Sequence, residues 1–452
     1  MRPLFLFIAF LTIASPIAFA ADAEWKAGVA VVRITPQKPV RMAGYGGRNK
    51  PFETVTQDLY AKALALEDRD GTKAVLVTTD LESMTAKVAA EIAARIGEKY
   101  GLKREQIVLN WSHTHAGPYV SLKLEVDTGM TPENAQDTID YTRWLQDRVV
   151  EVAGAALAKL EPAKLSWGTG VANFVMNRRE FTATGVILGV NPRGFVDRSV
   201  PVLRVDSPEG KARVALFGCA CHNTTLGAKN MSVCGDYAGF AQSNVESHEP
   251  GVVAMFMQNC GGNANPYPRD TMDLARQHGD ELGMEVRRAL GTKLQPLSGP
   301  LRMVFDNVAL PLQPTTHEDL EKIAAQKPRG LSINAPQMLG ILKKGGTLPT
   351  HYRAPVAVWQ FGNDLTLVAL SGEVMAEYAL RIEKAVGPLR LWVAAYCNDD
   401  FGYLPTAQVI REGGYETRGL NEGNGWFAPS AEDALVERVR ELAKKAGRKV
   451  SD

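Results

Sequence analysis

The residues best suited to chemistry lie in the tract Trp111-Ser112-His113-Thr114-His115-Ala116-Gly117-Pro118, where two of seven histidines fall within three residues. Alternate positions of an extended segment point the same way. His113 and His115 therefore present two imidazoles on one face of an exposed loop, just past an apolar strand. His-x-His is a common metal pattern, because neutral imidazole is a good zinc ligand; alone it does not separate a ligand pair from two hydrogen-bonded histidines. Placement adds to it. The strand ending near Phe217 leads to His222, and Leu365 to Leu370 leads into Ser371-Gly372-Glu373. Leu391 to Tyr396 leads into Asn398-Asp399-Asp400-Phe401-Gly402-Tyr403, and Val252 to Met257 into the turn from Asn259 to Pro266 that holds Asn265. Polar, glycine-flanked tracts thus follow the carboxyl ends of apolar strands, where open α/β sheets keep their sites. Two histidines, a carboxylate and a further oxygen donor can make a four-coordinate zinc site. Contributors spread from position 113 to 403 require most of the chain to form one domain.

The elements that must position these residues alternate between strand-like and helix-like, the pattern of a layered α/β protein. Ala74 to Thr79 and Gln106 to Trp111 read as buried strands, with an amphipathic helix from Ala86 to Tyr100 between them. Further helices are expected at Thr138 to Leu160, Thr271 to Leu290 and Ala431 to Ala446. A short helix over Thr316 to Gln326 carries Thr316 and Asp319 at capping-box spacing. The Gly-, Pro- and Lys-rich stretch from Pro328 to Thr350 reads as a long surface loop. The expected fold is α/β, with a mixed β-sheet core flanked by helices and a metal site at the carboxyl ends of strands.

Composition narrows the class. The 452 residues include 51 Lys+Arg against 50 Asp+Glu, with 45% apolar and 22% charged residues. That is ordinary for a soluble globular protein and excludes disorder, collagen-like repeats and a coiled coil. The balanced charge argues against nucleic acid as a partner, since phosphate binding needs a concentrated basic surface. Residues 1–20 read as a secretory signal peptide: Arg2, an apolar run from Leu4 to Ile13, Pro16, then Ala18-Phe19-Ala20 before cleavage after Ala20. The rest, 21–452, reads as a single domain with no later membrane-spanning segment, so the mature protein is expected in the periplasm or secreted. Export exposes the five cysteines to an oxidising compartment, yet Cys219 and Cys221 adjoin a buried strand and read as core thiols.

In chain order, Arg33-Ile34-Thr35-Pro36 with Ala43-Gly44-Tyr45, the His113 to Pro118 tract, Asn177-Arg178, Cys219-Ala220-Cys221-His222, Gly235-Asp236-Tyr237-Ala238-Gly239, Gly262 to Pro266, Ser371-Gly372-Glu373, and Gly402-Tyr403 through Gly413-Gly414-Tyr415-Glu416 resemble the neutral/alkaline ceramidase family. The resemblance spans about residues 27 to 430 and concerns the catalytic domain of those zinc hydrolases. It implies that His113, His222, Glu373 and Tyr403 hold Zn2+. It makes His115 the proton-handling histidine beside the metal and Arg178 the cation facing the substrate carbonyl. Two departures stand out. Asn265 occupies the place of the serine in the family's Gly-Asp-x-Ser-Pro turn, and an amide cannot be acylated as a hydroxyl can. The family's C-terminal β-sandwich domain has no counterpart before the chain stops at Asp452.

The chemistry implied is hydrolysis of an amide in a small-molecule or lipid substrate by a zinc-activated water. His115 would move protons, and Arg178, Tyr403 and the Asn265 amide would stabilise the oxyanion. An ester substrate, or a non-catalytic exported zinc domain, are the alternatives. Asp399 and Asp400 suggest a glycosidase pair less well than solvated or capping groups. Arg178 could instead be an ion-pair partner of Glu180.

Overall fold

The sheets are built around strands that are buried on both faces, such as Lys73–Thr79, Ile107–Trp111 and Leu365–Leu370. In a computed structural model, residues 24–450 are described except 49, 124–130, 326–333, 389 and 422–424. The expected signal peptide lies outside the described residues, as does the start of the expected 328–350 loop. A nine-stranded sheet runs in the order Val253–Gln258, Ala212–Cys219, Ser199–Asp206, Glu161–Val171, Trp25–Arg33, Tyr60–Asp68, Lys73–Thr79, Ile107–Trp111, with Gln295–Leu297 beside Glu161–Val171. A four-stranded sheet runs Leu301–Pro311, His351–Phe361, Leu365–Leu370, Leu391–Ala394. Both are mixed. Ile107–Trp111 runs parallel to Lys73–Thr79, Ala212–Cys219 to Val253–Gln258, and Leu365–Leu370 to Leu391–Ala394. The strands leading to the chemical tracts are therefore those in parallel pairs, and within each pair the carboxyl ends lie side by side.

The two sheets pack face to face. Leu64, Leu66, Leu76, Val108, Leu216 and Met257 of the larger join Trp359, Leu367 and Trp392 of the smaller in one buried cluster. Each such side chain contributes roughly 1.5–3 kcal/mol by leaving water. The outer faces are covered by helices. Ala63, Val75 and Val77 lie with Ile92, Ile96 and Val149 of helices Ala86–Tyr100 and Pro132–Leu157. Phe217 and Phe256 lie under Asp236–His248 and Met272–Leu290, while Val356, Val358 and Val368 meet Ala376–Val386 and Ala431–Lys445. The layers are helix, sheet, sheet, helix. The α/β class with a mixed sheet agrees with the sequence reading; the second sheet was not foreseen, because strands buried on both faces carry no alternation that says what each face meets.

Local signals mostly held. The Ala86–Tyr100 helix ends at Gly101 in the left-handed region (φ 69°), which costs glycine nothing. The reciprocal box forms, with Asp319 N donating to Thr316 Oγ1 (3.1 Å) and Thr316 N to Asp319 Oδ2 (3.2 Å). The long helix starts earlier than expected, at Pro132, because Thr131 caps it and proline suits its first turn. The surface-loop reading of Pro328 to Thr350 is corrected: Asn334–Lys343 is a helix, whose Ala335 and Met338 pack on Leu320 and Trp426. Cys219 and Cys221 are buried, as the core reading required, and the other three cysteines are likewise free and buried. Among the described residues no helix is long and apolar enough to cross a membrane.

Near the tracts, hydrogen bonds tie the sheets together. Asn110, wholly buried, donates from Nδ2 to Ala395 O (2.8 Å) and accepts at Oδ1 from Gln258 N (2.9 Å). One amide thus joins the ends of three strands, and a buried polar group so satisfied fixes a single register.

Candidate metal and catalytic site

The loop after Ile107–Trp111 turns sharply at His113, which sits at φ 62°. Its backbone is held there, His113 N donating to Leu81 O (2.8 Å) and His115 N to Asn223 O (3.1 Å). The tract is not an exposed loop as expected. His113 is 1% exposed and His115 9%, because the His222 segment and the Glu373 turn close over them. His222 follows Ala212–Cys219 and is anchored by its N–H to Ala264 O (3.0 Å). Glu373 and Tyr403 come from two short strands paired in parallel, in which they are register partners. Gly372 before Glu373 has φ 76° with the Phe401 ring against it, so no larger residue fits that turn.

These segments aim side chains at one point. His113 Nδ1–H donates to Glu82 O (2.8 Å) and His222 Nδ1–H to Gly261 O (2.8 Å). A carbonyl on Nδ1 fixes the tautomer and leaves each Nε2 as an electron-pair donor. His222 Nε2 then lies 2.9 Å from Glu373 Oε2 and 3.4 Å from the Tyr403 hydroxyl; His113 Nε2 lies 3.3 Å from Glu373 Oε2 and 3.1 Å from His115 Nε2. Lone pairs and a carboxylate converging this closely in a buried site favour a cation between them. The same field bears on how readily each histidine takes a proton. Burial alone would lower His113, but the charge and hydrogen bond of Glu373 outweigh it and push it up to about 9. Burial and the Arg178 charge push His222 down to about 3. The donor set fits a metal ion: His113, His115 and His222 offer nitrogens all within 4.8 Å of one another. His115 differs from the other two. Its Nδ1 is buried with no hydrogen-bond partner among the described residues, so no carbonyl fixes its tautomer. Burial, then the charges of His113 and His222, hold it neutral, well below the ordinary range.

Arg178 reaches the cluster from the strand Val175–Thr182, its guanidinium 5.2 Å from the Tyr403 ring centre. Nε donates to Glu416 Oε1 (2.9 Å) and Nη1 to Asn265 Oδ1 (3.4 Å), while buried Nη2 has no partner of hydrogen-bond geometry among the described residues. The ion-pair partner is therefore Glu416; Glu180 instead accepts from Val190 N. Asn265 stands on the neighbouring strand Ala264–Pro266, and its Oδ1 also accepts from Thr224 Oγ1 (3.2 Å). Asp399 and Asp400 are buried, not solvated: Asp399 accepts from the Tyr352 hydroxyl (2.6 Å) and Asp400 from Gly402 N (2.9 Å). His113, His115, His222, Glu373, Tyr403, Arg178 and Asn265 thus gather here, whereas Asp399 is taken up by Tyr352. Tyr396, Glu82 and the Glu416 clamp were not singled out for the site. Tyr396 was absorbed into a strand, Glu82 contributes its backbone carbonyl, which any residue could supply, and only the Gly413 to Glu416 motif pointed at the third.

Comparison with known proteins shows the family and the fold. The family model described as neutral/alkaline non-lysosomal ceramidase, N-terminal, matches residues 25–273, more than half of the chain. Neutral ceramidase A of Dictyostelium discoideum is 24% identical over 286 residues, 57% of this chain and 38% of that protein. Neutral ceramidase of Drosophila melanogaster is 22% identical over 246 residues, 52% of this chain and 34% of that protein. The matched stretch is thus well under half the length of those relatives. The crystal structure of neutral ceramidase from Pseudomonas aeruginosa superposes with a TM-score of 0.73 at 20% identity, covering 96% of this chain and 76% of that one, which establishes a shared fold. The chain belongs to the neutral/alkaline non-lysosomal ceramidase family.

Proposed function

We propose that residues 21–452 form a single zinc-dependent hydrolase domain, acting outside the cytoplasm after loss of residues 1–20, that cleaves the linear amide of an N-acyl lipid of ceramidase type. One observation carries the reading: His113 Nε2, His222 Nε2, Glu373 Oε2 and the Tyr403 hydroxyl converge beside an Arg178 Nη2 that has no hydrogen-bond partner among the described residues. In this reading those four residues hold Zn2+, and His115 does not.

A zinc ion there supplies Lewis acidity and lowers the pKa of a water it binds to about 7. The chain's own residues do the rest. His115, neutral and close to the cluster, accepts the proton of the attacking water at Nε2 and returns it to the leaving nitrogen. Arg178 Nη2 donates to the carbonyl oxygen as it gains charge, with the Tyr403 hydroxyl beside it. Asn265 holds Arg178 through Nη1. The C–O bond forms, the C–N bond breaks, and a carboxylate and an amine leave. No protein nucleophile is required, so asparagine in place of the family's serine is compatible with this route.

A lipid substrate suits the approach to the site. The hairpin Val175–Thr182 and Gly185–Asn191 carries Arg178, and its tip, residues 181–190, holds no charged residue. Phe181, Ile187, Leu188 and Val190 are exposed there, an apolar patch of the kind that marks interaction surfaces. The test is a panel of N-acyl amides and matched esters offered to zinc-loaded protein. Faster amide turnover, abolished by chelation and restored by Zn2+, is the expected result; turnover of esters alone would replace this reading with an esterase.

Gly44 gives a sharper check on His115. Its φ is 87°, and a Cβ would lie 2.3 Å from His115 Cγ and 2.4 Å from Nδ1. Gly44→Ala must push the imidazole aside. Misplacing a catalytic group by about 1 Å costs on the order of 10²-fold in rate. Zinc content is expected to stay at the wild-type value, which separates this effect from loss of the metal.

A further inference from the structure

Tyr396 follows the strand Leu391–Ala394 with φ 56°. It is held in that conformation, its N–H donating to Gly372 O (3.1 Å) and its carbonyl accepting from Trp111 N (3.3 Å) and Asn110 Nδ2 (3.4 Å). The side chain is wholly buried. Its ring centre lies 4.6 Å from that of His113 and 6.2 Å from that of His222, edge-on to the latter. The hydroxyl is buried as well, and it meets no hydrogen-bond partner among the described residues. Burial apart, the charges that bear most on it are those of Glu373, then Tyr403 and Arg178. Those groups surround the place where the substrate carbonyl would react.

A buried phenol normally finds a partner, since leaving the group unsatisfied is costly. Phenylalanine would pack against the imidazoles equally well without that cost. Side-chain packing therefore accounts for the ring and not for the hydroxyl. We propose that the Tyr396 hydroxyl is a further catalytic group, donating a hydrogen bond to the substrate's carbonyl oxygen as negative charge develops on it, in company with Arg178 Nη2 and Tyr403. This rests on the amide-hydrolase reading above. A tyrosine hydroxyl is neutral at ordinary pH and donates a single O–H, so it adds a dipole to the site without adding charge near His113.

Tyr396→Phe tests it, because the variant removes only an atom that no other described residue holds. With zinc-loaded protein and a fluorogenic N-acyl amide, kcat is expected to fall on the order of 10²-fold, the usual loss for one oxyanion donor. KM and zinc content should stay as in wild type, and the melting temperature should hold or rise. A kcat within about twofold of wild type overturns the proposal. So does zinc loss or a lower melting temperature accompanying the fall, since either would make the residue a packing support for His113. If wild type cleaves no N-acyl amide, the functional reading fails by itself, and binding of acetohydroxamate to zinc-loaded protein decides. Affinity weaker by about tenfold or more in Tyr396→Phe supports the donor role, and equal affinity overturns it.

Discussion

His113→Ala, His222→Ala and Glu373→Ala are each expected to abolish stoichiometric zinc binding and to cut kcat/KM by on the order of 10⁴-fold or more, as for parts of a catalytic unit that act together. Both histidine Nε2 atoms lie within 3.3 Å of Glu373 Oε2, and both histidines have Nδ1 committed to a carbonyl. Removing any one leaves a site with too few donors to enclose a metal. His115→Ala is the discriminating control. All three histidines could in principle share an ion, since their nitrogens lie within 4.8 Å. Yet of the three only His115 has no partner on Nδ1 among the described residues, and zinc-ligating histidines almost always donate their other ring N–H to a carboxylate, a backbone carbonyl or water. His115→Ala should keep about one zinc per chain and lose turnover. Metal analysis by mass spectrometry on the four variants beside wild type reads the result. Zinc lost from His115→Ala would move that residue into the ligand set; zinc retained in the other three would sink the proposed centre.

How much of this was legible in the sequence depended on the range of the signal. His113 and His115 were visible because one strand-end tract holds both. His222, Glu373 and Tyr403 became candidates only through their position after apolar strands and the order of the family motifs. Their burial was not legible: whether a loop is covered depends on segments more than a hundred residues away, such as the Glu373 turn over His113. Helix ends with local causes, Gly101 and the Thr316–Asp319 box, were readable because cap and helix adjoin in sequence. The second sheet was not, since Trp359 and Trp392 give no hint that they face Leu216 and Met257. The helix Asn334–Lys343 hid in a Gly- and Pro-rich stretch because its apolar face is short and finds its partners, Leu320 and Trp426, only in three dimensions. The two buried arginines beside the site show the same limit. The Asn177-Arg178 motif pointed to one of them, but neither its partner Glu416 nor the role of Arg179 follows from spacing.

That arginine pair sets the second large effect. Glu416 is 1% exposed and bridges two guanidiniums, taking Arg178 Nε at Oε1 (2.9 Å) and Arg179 Nη1 at Oε2 (2.6 Å). Arg179 is shared further with Glu412 (3.1 Å) and Gly413 O (2.9 Å). Glu416→Ala leaves both cations buried, and breaking a buried pair from one side typically costs ~3–5 kcal/mol. For a domain of this size that corresponds to a melting temperature lower by roughly 3–6 °C. Burial would raise the Glu416 carboxyl, but Arg178 and Arg179 outweigh it and hold it below the usual range. The sign follows: its contribution is fully present above the unfolded value of roughly 4.3. It is lost only as pH falls through the lower folded value. Wild type and Glu416→Ala should therefore converge in stability toward strong acid. Arg178→Met is expected to behave differently, because Glu416 keeps Arg179 and no buried charge is orphaned. It should melt closer to wild type while kcat falls by on the order of 10²–10³-fold, the loss expected for an oxyanion donor. If instead Arg178→Met melts as low as Glu416→Ala and turns over normally when folded, the cation is a structural tie between the hairpin and the Tyr415 turn, and the substrate carbonyl has another donor.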